Sequence, residues 1–164
     1  MAVDYFLKLD GIEGESADSK HAKEIDVEAW SWGESQAGAA APGGGGGGAG
    51  AGKVSLQDFS FVMKFNKASP KLMLACATGK HIKTARLAVR KAGQGQLDYL
   101  TFTFHDVVVS SYQTGGAESS GFAPVDQVSL RYAKIEVEYK AQKADGTLVA
   151  AGQFKFDLKL NKSY

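Results

Sequence analysis

Period-two alternation of apolar and polar residues recurs along almost the whole chain, and it restricts the fold more than any other feature. Successive side chains of a β-strand point to opposite faces, so each such run offers one face to a core and one to solvent. Val3, Tyr5, Leu7 and Leu9 alternate with Asp4, Phe6 and Lys8, and Ile25, Val27, Ala29 and Ser31 alternate with Asp26, Glu28, Trp30 and Trp32. Further on, the apolar side is carried by Phe59, Phe61, Met63 and Phe65, then by Ala85, Leu87 and Val89 within 84–92. Residues 97–112 are rich in Thr, Val, Tyr and Phe, and 125–140 continue the pattern. A slip of the period between Tyr132 and Ile135 predicts a β-bulge. Asp145-Gly146 is a hairpin turn signal, and 153–160 set Phe154, Phe156, Leu158 and Leu160 inward against Lys155, Asp157 and Lys159.

One stretch differs. Ser69-Pro70 supplies an N-cap and a proline at the first helical position, residues 72–77 form an apolar body, and Gly79 is a stop, which predicts a helix over about 69–79. The chain is expected to be mainly β, a small antiparallel β-barrel or sandwich with this one short α-helix, folded as one domain over 1–164.

Residues 37–52 interrupt the order. They are alanine, glycine and one proline, and they hold nine of the chain's 20 glycines. Gly43, Gly44, Gly45, Gly46, Gly47 and Gly48 are consecutive, with Gly50 and Gly52 close behind. Such a segment brings almost nothing to a core and is costly in backbone entropy to order. It is expected to protrude, either as a spacer or as an arm held by something outside the chain. Its end, Gly47 to Lys53, matches the G-x-x-x-x-G-K of a phosphate-binding loop. That motif needs Ser or Thr after the lysine and a helix to receive the phosphate. Here Val54 follows and the next run alternates like a strand, so Lys53 reads as a strand start.

The 19 basic and 18 acidic residues are intermixed, for a net charge of +1. No basic block marks a nucleic-acid or anionic-membrane surface. In MAVDYFLKLD, Asp4 and Lys8 interrupt the apolar core of a signal peptide, and no window approaches the roughly 18 apolar residues of a membrane span. Synthesis in the cytoplasm is expected, with any export by a route independent of such a signal. The single cysteine, Cys76, excludes an intrachain disulfide. Among Leu, Met and Ala it reads as a small buried hydrophobe rather than an exposed nucleophile.

Catalytic signals are thin. His21, His81 and His105 are scattered and lack zinc-ligand spacing. Asp26 and Glu28 share a strand face, as a carboxylate pair for glycoside chemistry would, but nothing else supports that chemistry. No catalytic group, metal or cofactor is expected. Trp30 and Trp32, the only tryptophans, have two readings: sugar stacking from an exposed face, or anchoring of a core or subunit interface. The second is preferred, with Asp26 and Glu28 as their companions. A non-catalytic carbohydrate- or peptide-binding β-sandwich is the alternative.

An ordered set of short matches then resembles one family. His21-Ala22, Glu24-Ile25-Asp26-Val27 and Ala29-Trp30-Ser31-Trp32-Gly33 are similar to the signature strand of Hcp, the haemolysin-coregulated tube protein of type VI secretion systems. Ala51-Gly52-Lys53-Val54, Leu74-Ala75-Cys76, Gly79-Lys80-His81, Arg90-Lys91-Ala92-Gly93, Tyr99-Leu100, Val109-Ser110-Ser111 and Gln142-Lys143-Ala144-Asp145-Gly146 follow in the family's order. The resemblance implies a β-barrel with a side helix, assembled as a homohexameric ring. Rings would stack into a tube inside a sheath, with a spike at its tip, and the tube would be secreted with small effector proteins in its lumen. It also implies that 37–52 and Lys53 meet the next ring. Thr114, Gly115, Gly116 and Ala117, in a polar loop over 113–121, would lie near the lumen and its cargo. No C-terminal toxin domain, nucleic-acid partner or membrane insertion is expected.

Overall fold

The structure, a computed structural model, describes residues 3–36, 54–91 and 95–164. The expected arm at 37–52 and Lys53 lie outside the described residues. The elements in order are β1 (Val3–Leu9), β2 (Ile25–Val27), β3 (Ala29–Ser31), β4 (Glu34–Gln36), β5 (Val54–Leu56), β6 (Phe59–Lys64), α1 (Ser69–Thr78), β7 (His81–Lys91), β8 (Asp98–Gly115), β9 (Val125–Arg131), β10 (Lys134–Gln142), β11 (Leu148–Asp157) and β12 (Lys162–Ser163). The chain is mainly antiparallel β with one helix, as its alternation predicts. Ten strands form one sheet, in the order β12-β11-β10-β8-β7-β1-β2 with a branch β8-β9-β6-β3. The sheet curls around one core but stays open: β2 pairs with β1 and β3 with β6, and β2 does not ladder with β6.

The alternating run over 23–36 is three short strands, and the reason lies at Glu28. Its N–H donates to Val62 O at 2.8 Å, where the chain leaves its ladder with β1 and joins β6. The step changes which parity faces inward. Ile25 and Val27 are buried before it, and Trp30 and Trp32 pack on the core after it. The single mixed face read from the sequence is therefore two faces.

Phe59, Phe61, Phe104, Leu7, Ile25, Met63, Leu87, Leu130 and Ile135 are the largest fully buried side chains, joined by Leu72 from the helix. Aromatic rings fill the middle: Phe104 lies 4.8 Å from both Phe59 and Tyr132, and Trp30 lies 5.1 Å from Phe102. Offset and tilted ring contacts of this kind add to the area they bury. Two expected inward residues are not in the core. Phe65 and Leu160 are largely exposed, because each lies just beyond the end of its strand.

The period slip near Tyr132 is real, but no residue is inserted there. β9 and β10 run end to end along β8 in one unbroken register, with Val108 opposite Arg131 and His105 opposite Lys134. Both strands slip together: β8 buries Phe102 and Phe104, then Val107 and Val109, and its partner buries Leu130 and Tyr132, then Ile135. Asp106, at φ 53, takes up the kink. The register shift in this ladder lies between Val109 and Ser111 instead.

The helix also starts differently from its sequence signal. Ala68 is the N-cap and carries no capping side chain, while Gly79 closes the helix at φ 68 as predicted. Ser69 is inside the helix, where its hydroxyl donates to the fully buried carboxylate of Asp126 at 2.6 Å and accepts from Asn66 N at 3.0 Å. The negative charge that favours a helix N-terminus thus comes from β9, far away in sequence. Leu72 and Ala75 are buried against the sheet, and Met73 and Leu74 face solvent.

Candidate functional site

The outer face of β3, β6, β9 and β8 carries an organised set of small polar side chains. Ser31 is the cross-strand neighbour of Ser60, Ser60 of Ser129, and Ser129 of Ser111. Four strands therefore contribute one serine each to a single row, and Ser60 and Ser129 are hydrogen-bonded at 2.9 Å. The adjacent row reads Ala29, Val62, Gln127 and Gln113. Together they line a shallow concavity of about 360 Å³ that contains no charged side chain. Charges stand beyond both ends of it. Lys64 faces Glu28 at 3.8 Å on one side, and Asp58 binds Ser110 at 2.7 Å and Arg131 at 3.7 Å on the other.

The bulge in β8 makes this face. Val107 and Val109 point inward, and strict alternation would send Ser111 and Gln113 in after them. Ser110 is the extra residue between the two registers. It turns to Asp58, so Ser111 and Gln113 face outward and Tyr112 packs on the core. Bulges commonly re-aim side chains in this way. Sequence reasoning missed this site because four isolated serines carry no signal until the strand registers align them.

The sequence-predicted residues fall into separate places. Thr114 and Gly115 are the last residues of β8, paired with Asp126 and Val125, rather than part of a loop. They adjoin the end of the serine–glutamine face at Gln113. A side chain at Gly116 would meet Pro124, and Ala117 precedes a short 3-10 turn over Glu118–Ser120. Asp26 and Glu28 do not accompany the tryptophans. Asp26 stands opposite Phe6 on the outer face of β1 and β2, where burial and the nearby Asp18 and Asp4 raise its carboxyl against a hydrogen bond from Ser16.

Trp30 and Trp32 are half-buried with their rings inward. Trp30 packs against Tyr5, Phe59 and Phe102, and Trp32 against Phe102 and Phe154. Trp32 Nε1–H donates to Tyr132 Oη at 2.5 Å, and that hydroxyl donates to Gln57 O at 2.8 Å. Burial pushes the Tyr132 phenol up to about 12. These contacts fix the root of the separate β4–β5 ribbon, where Gln57 N–H also binds Gly33 O at 2.9 Å. Gln36 pairs with Val54 at its tip. A sugar-stacking role would need indole faces turned to solvent.

Among the described residues, no group of three or more His, Cys, Asp or Glu is placed to hold a metal, and no helix is long and apolar enough to cross a membrane. A profile of the family described as "Type VI secretion system effector, Hcp" matches residues 6–139. The chain belongs to the Hcp family of type VI secretion proteins. It is 53% identical over 147 residues to protein hcp1 of Pseudomonas aeruginosa, covering 89% of this chain and 88% of that one. A solved structure described as a type six secretion system protein superposes with a TM-score of 0.90 at 29% identity, covering 99% of this chain and all of that one. Hcp1 from Salmonella typhimurium gives 0.77 at 34% identity, with full coverage of both chains.

Proposed function

We propose that this chain is the structural subunit of a type VI inner tube, without catalytic activity. Six copies form a ring, rings stack through 37–52 and Lys53, and small effector proteins ride against the serine–glutamine face. The assembly travels within sheath and spike partners and leaves the cell by the type VI route. Family membership across most of the chain supports the tube role, and the uncharged row Ser31–Ser60–Ser129–Ser111 carries the cargo reading. A polar face with small side chains and no charges offers hydrogen bonds to many protein surfaces without a pocket that would select one. Thr114 to Ala117 form its rim in this reading. A closed ring needs a heterologous interface, for which the open sheet provides unpaired strand edges. The ribbon that carries the glycine tract favours 37–52 as the stacking arm, because small residues fit between two surfaces without requiring a socket.

Replacing 37–52 with a two-residue turn tests the arrangement. Light scattering is expected to report hexamers as in the parent, while electron microscopy shows separate rings and no tubes. Normal tubes from this variant would remove the stacking role, and a stable monomer from the parent at micromolar concentration would remove the ring.

A further inference from the structure

The outer face of β2, β1 and β7 is closed by the chain itself. Residues 11–24 fold onto it, tied internally by Gly14 N–H to Lys23 O at 2.8 Å and Ser16 N–H to Glu24 O at 3.0 Å. Asp18 receives Arg90 through both terminal nitrogens, at 2.9 and 2.7 Å. Lys20 Nζ reaches the carbonyls of Gly95 and Gln96, each at 3.2 Å. At the centre is His21, only 4% exposed. Its ring stacks on Phe6 with centroids 4.3 Å apart, and the Arg90 guanidinium carbon lies 4.7 Å from the same ring centre. Nδ1 is 2.5 Å from Glu24 Oε2, and Nε2 is 3.0 Å from Asp98 Oδ1.

From this geometry we infer that His21 carries a proton on both ring nitrogens, and that the second proton staples 11–24 to the start of β8. A neutral imidazole has one N–H and one lone pair. With a carboxylate at hydrogen-bond distance from each nitrogen, the neutral ring would aim its lone pair at an anion. The imidazolium donates at both positions, and bonds between charged groups are about twice as strong as neutral ones. The surroundings favour the added charge. Four carboxylates face the cluster: Asp4 from β1, Asp18 and Glu24 from the loop, and Asp98 from β8. Arg90 from β7 and Lys20 from the loop are the cations set against them, and Asp26 of β2 adds a further acidic group beside Asp18 and Asp4. The Phe6 ring face also prefers a cation to a neutral ring. The staple is therefore made of a proton: it ties the loop to the start of β8, while the sheet beneath stays paired without it.

Protein labelled with 15N-histidine tests this at about pH 7, where the charge state of a histidine is informative. His81→Gln and His105→Gln assign the other two histidines. Both nitrogens of His21 are expected at N–H shifts, and a lone-pair nitrogen would overturn the inference. In His21→Gln, hydrogen-exchange protection over 15–24 and 95–98 is expected to fall about tenfold while the β1–β7 ladder keeps its protection. Equal protection in parent and variant would also overturn it. Should His21→Gln fail to fold, Asp98→Asn gives the same exchange readout with the ring retained.

Discussion

Two outer faces of one curled sheet have been treated in opposite ways. On β2, β1 and β7 the face is closed by residues 11–24, with Arg90 and His21 sunk among four carboxylates. On β3, β6, β9 and β8 none of the described residues covers a row of serines and glutamines, and no charge interrupts it. The closed face is expensive to disturb because Arg90 and His21 are buried and depend on the carboxylates around them. The open face is cheap to disturb because its side chains are small and already solvated. On the proposed function, a subunit that presents a surface to other molecules while staying folded gains from keeping these two jobs apart.

The largest expected effect comes from breaking the closed face. Arg90→Met removes the cation between Asp18 and Asp4, and unfolding in urea is expected to show a loss of about 3 kcal/mol, toward the low end for an orphaned buried pair because both carboxylates keep some access to water. A parent-like midpoint would mean that apolar packing around Phe6 holds the loop without the ion pair.

Acid comes next. The hydrogen bonds from Arg90 are the main reason why the Asp18 carboxyl is held well below the usual carboxylate range. A group depressed in the folded state binds its proton more readily when unfolded, so its contribution is complete above the ordinary aspartate value of about 4 and fades as pH falls below it. The parent should lose stability over that acidic window, and Arg90→Met should respond less steeply. Parallel pH profiles for the two proteins would contradict the assignment.

The smallest effect on stability is expected from the open face. Ser129→Tyr should shift the unfolding free energy by less than about 1 kcal/mol, as for most substitutions outside a core, and, if the proposed function holds, leave ring formation intact. On that same proposal, co-purification of an effector with the assembly should nevertheless drop, since the tyrosine fills the middle of the serine row. Unchanged retention would move cargo contact elsewhere, with the rim at Thr114 to Ala117 as the next place to substitute.

Much of the architecture is legible in the residues because burial on one side of a strand imposes its own period. Phe59, Phe61 and Met63, or Ala85, Leu87 and Val89, can sit only one way once a core exists. The helix stop at Gly79 and the turn at Asp145-Gly146 follow equally from local chemistry, and Thr147 indeed binds Asp145 Oδ1 through both its N–H and its hydroxyl. Local chemistry also misleads where a distant group takes over. Ser69 looks like a cap until Asp126 claims its hydroxyl, and Asp26 looks like a neighbour of Trp30 until the chain changes sheet partner at Glu28. The slip near Tyr132 was visible, but its cause, a kink shared by two strands, needs both strands side by side.

The sequence alone determined that this would be an antiparallel β protein with one helix, an interrupting glycine tract and membership of a type VI secretion family, since periodicity, turn residues and an ordered set of short matches are properties of the chain read in one dimension. The tertiary structure alone decided which face is open and which is closed. A serine row exists only when four strands come into register, and Arg90 and His21 become buried charges only when a loop from another part of the chain folds over them. Both depend on contacts between residues far apart in sequence, whose pairing is set by packing and by one bulge at Ser110.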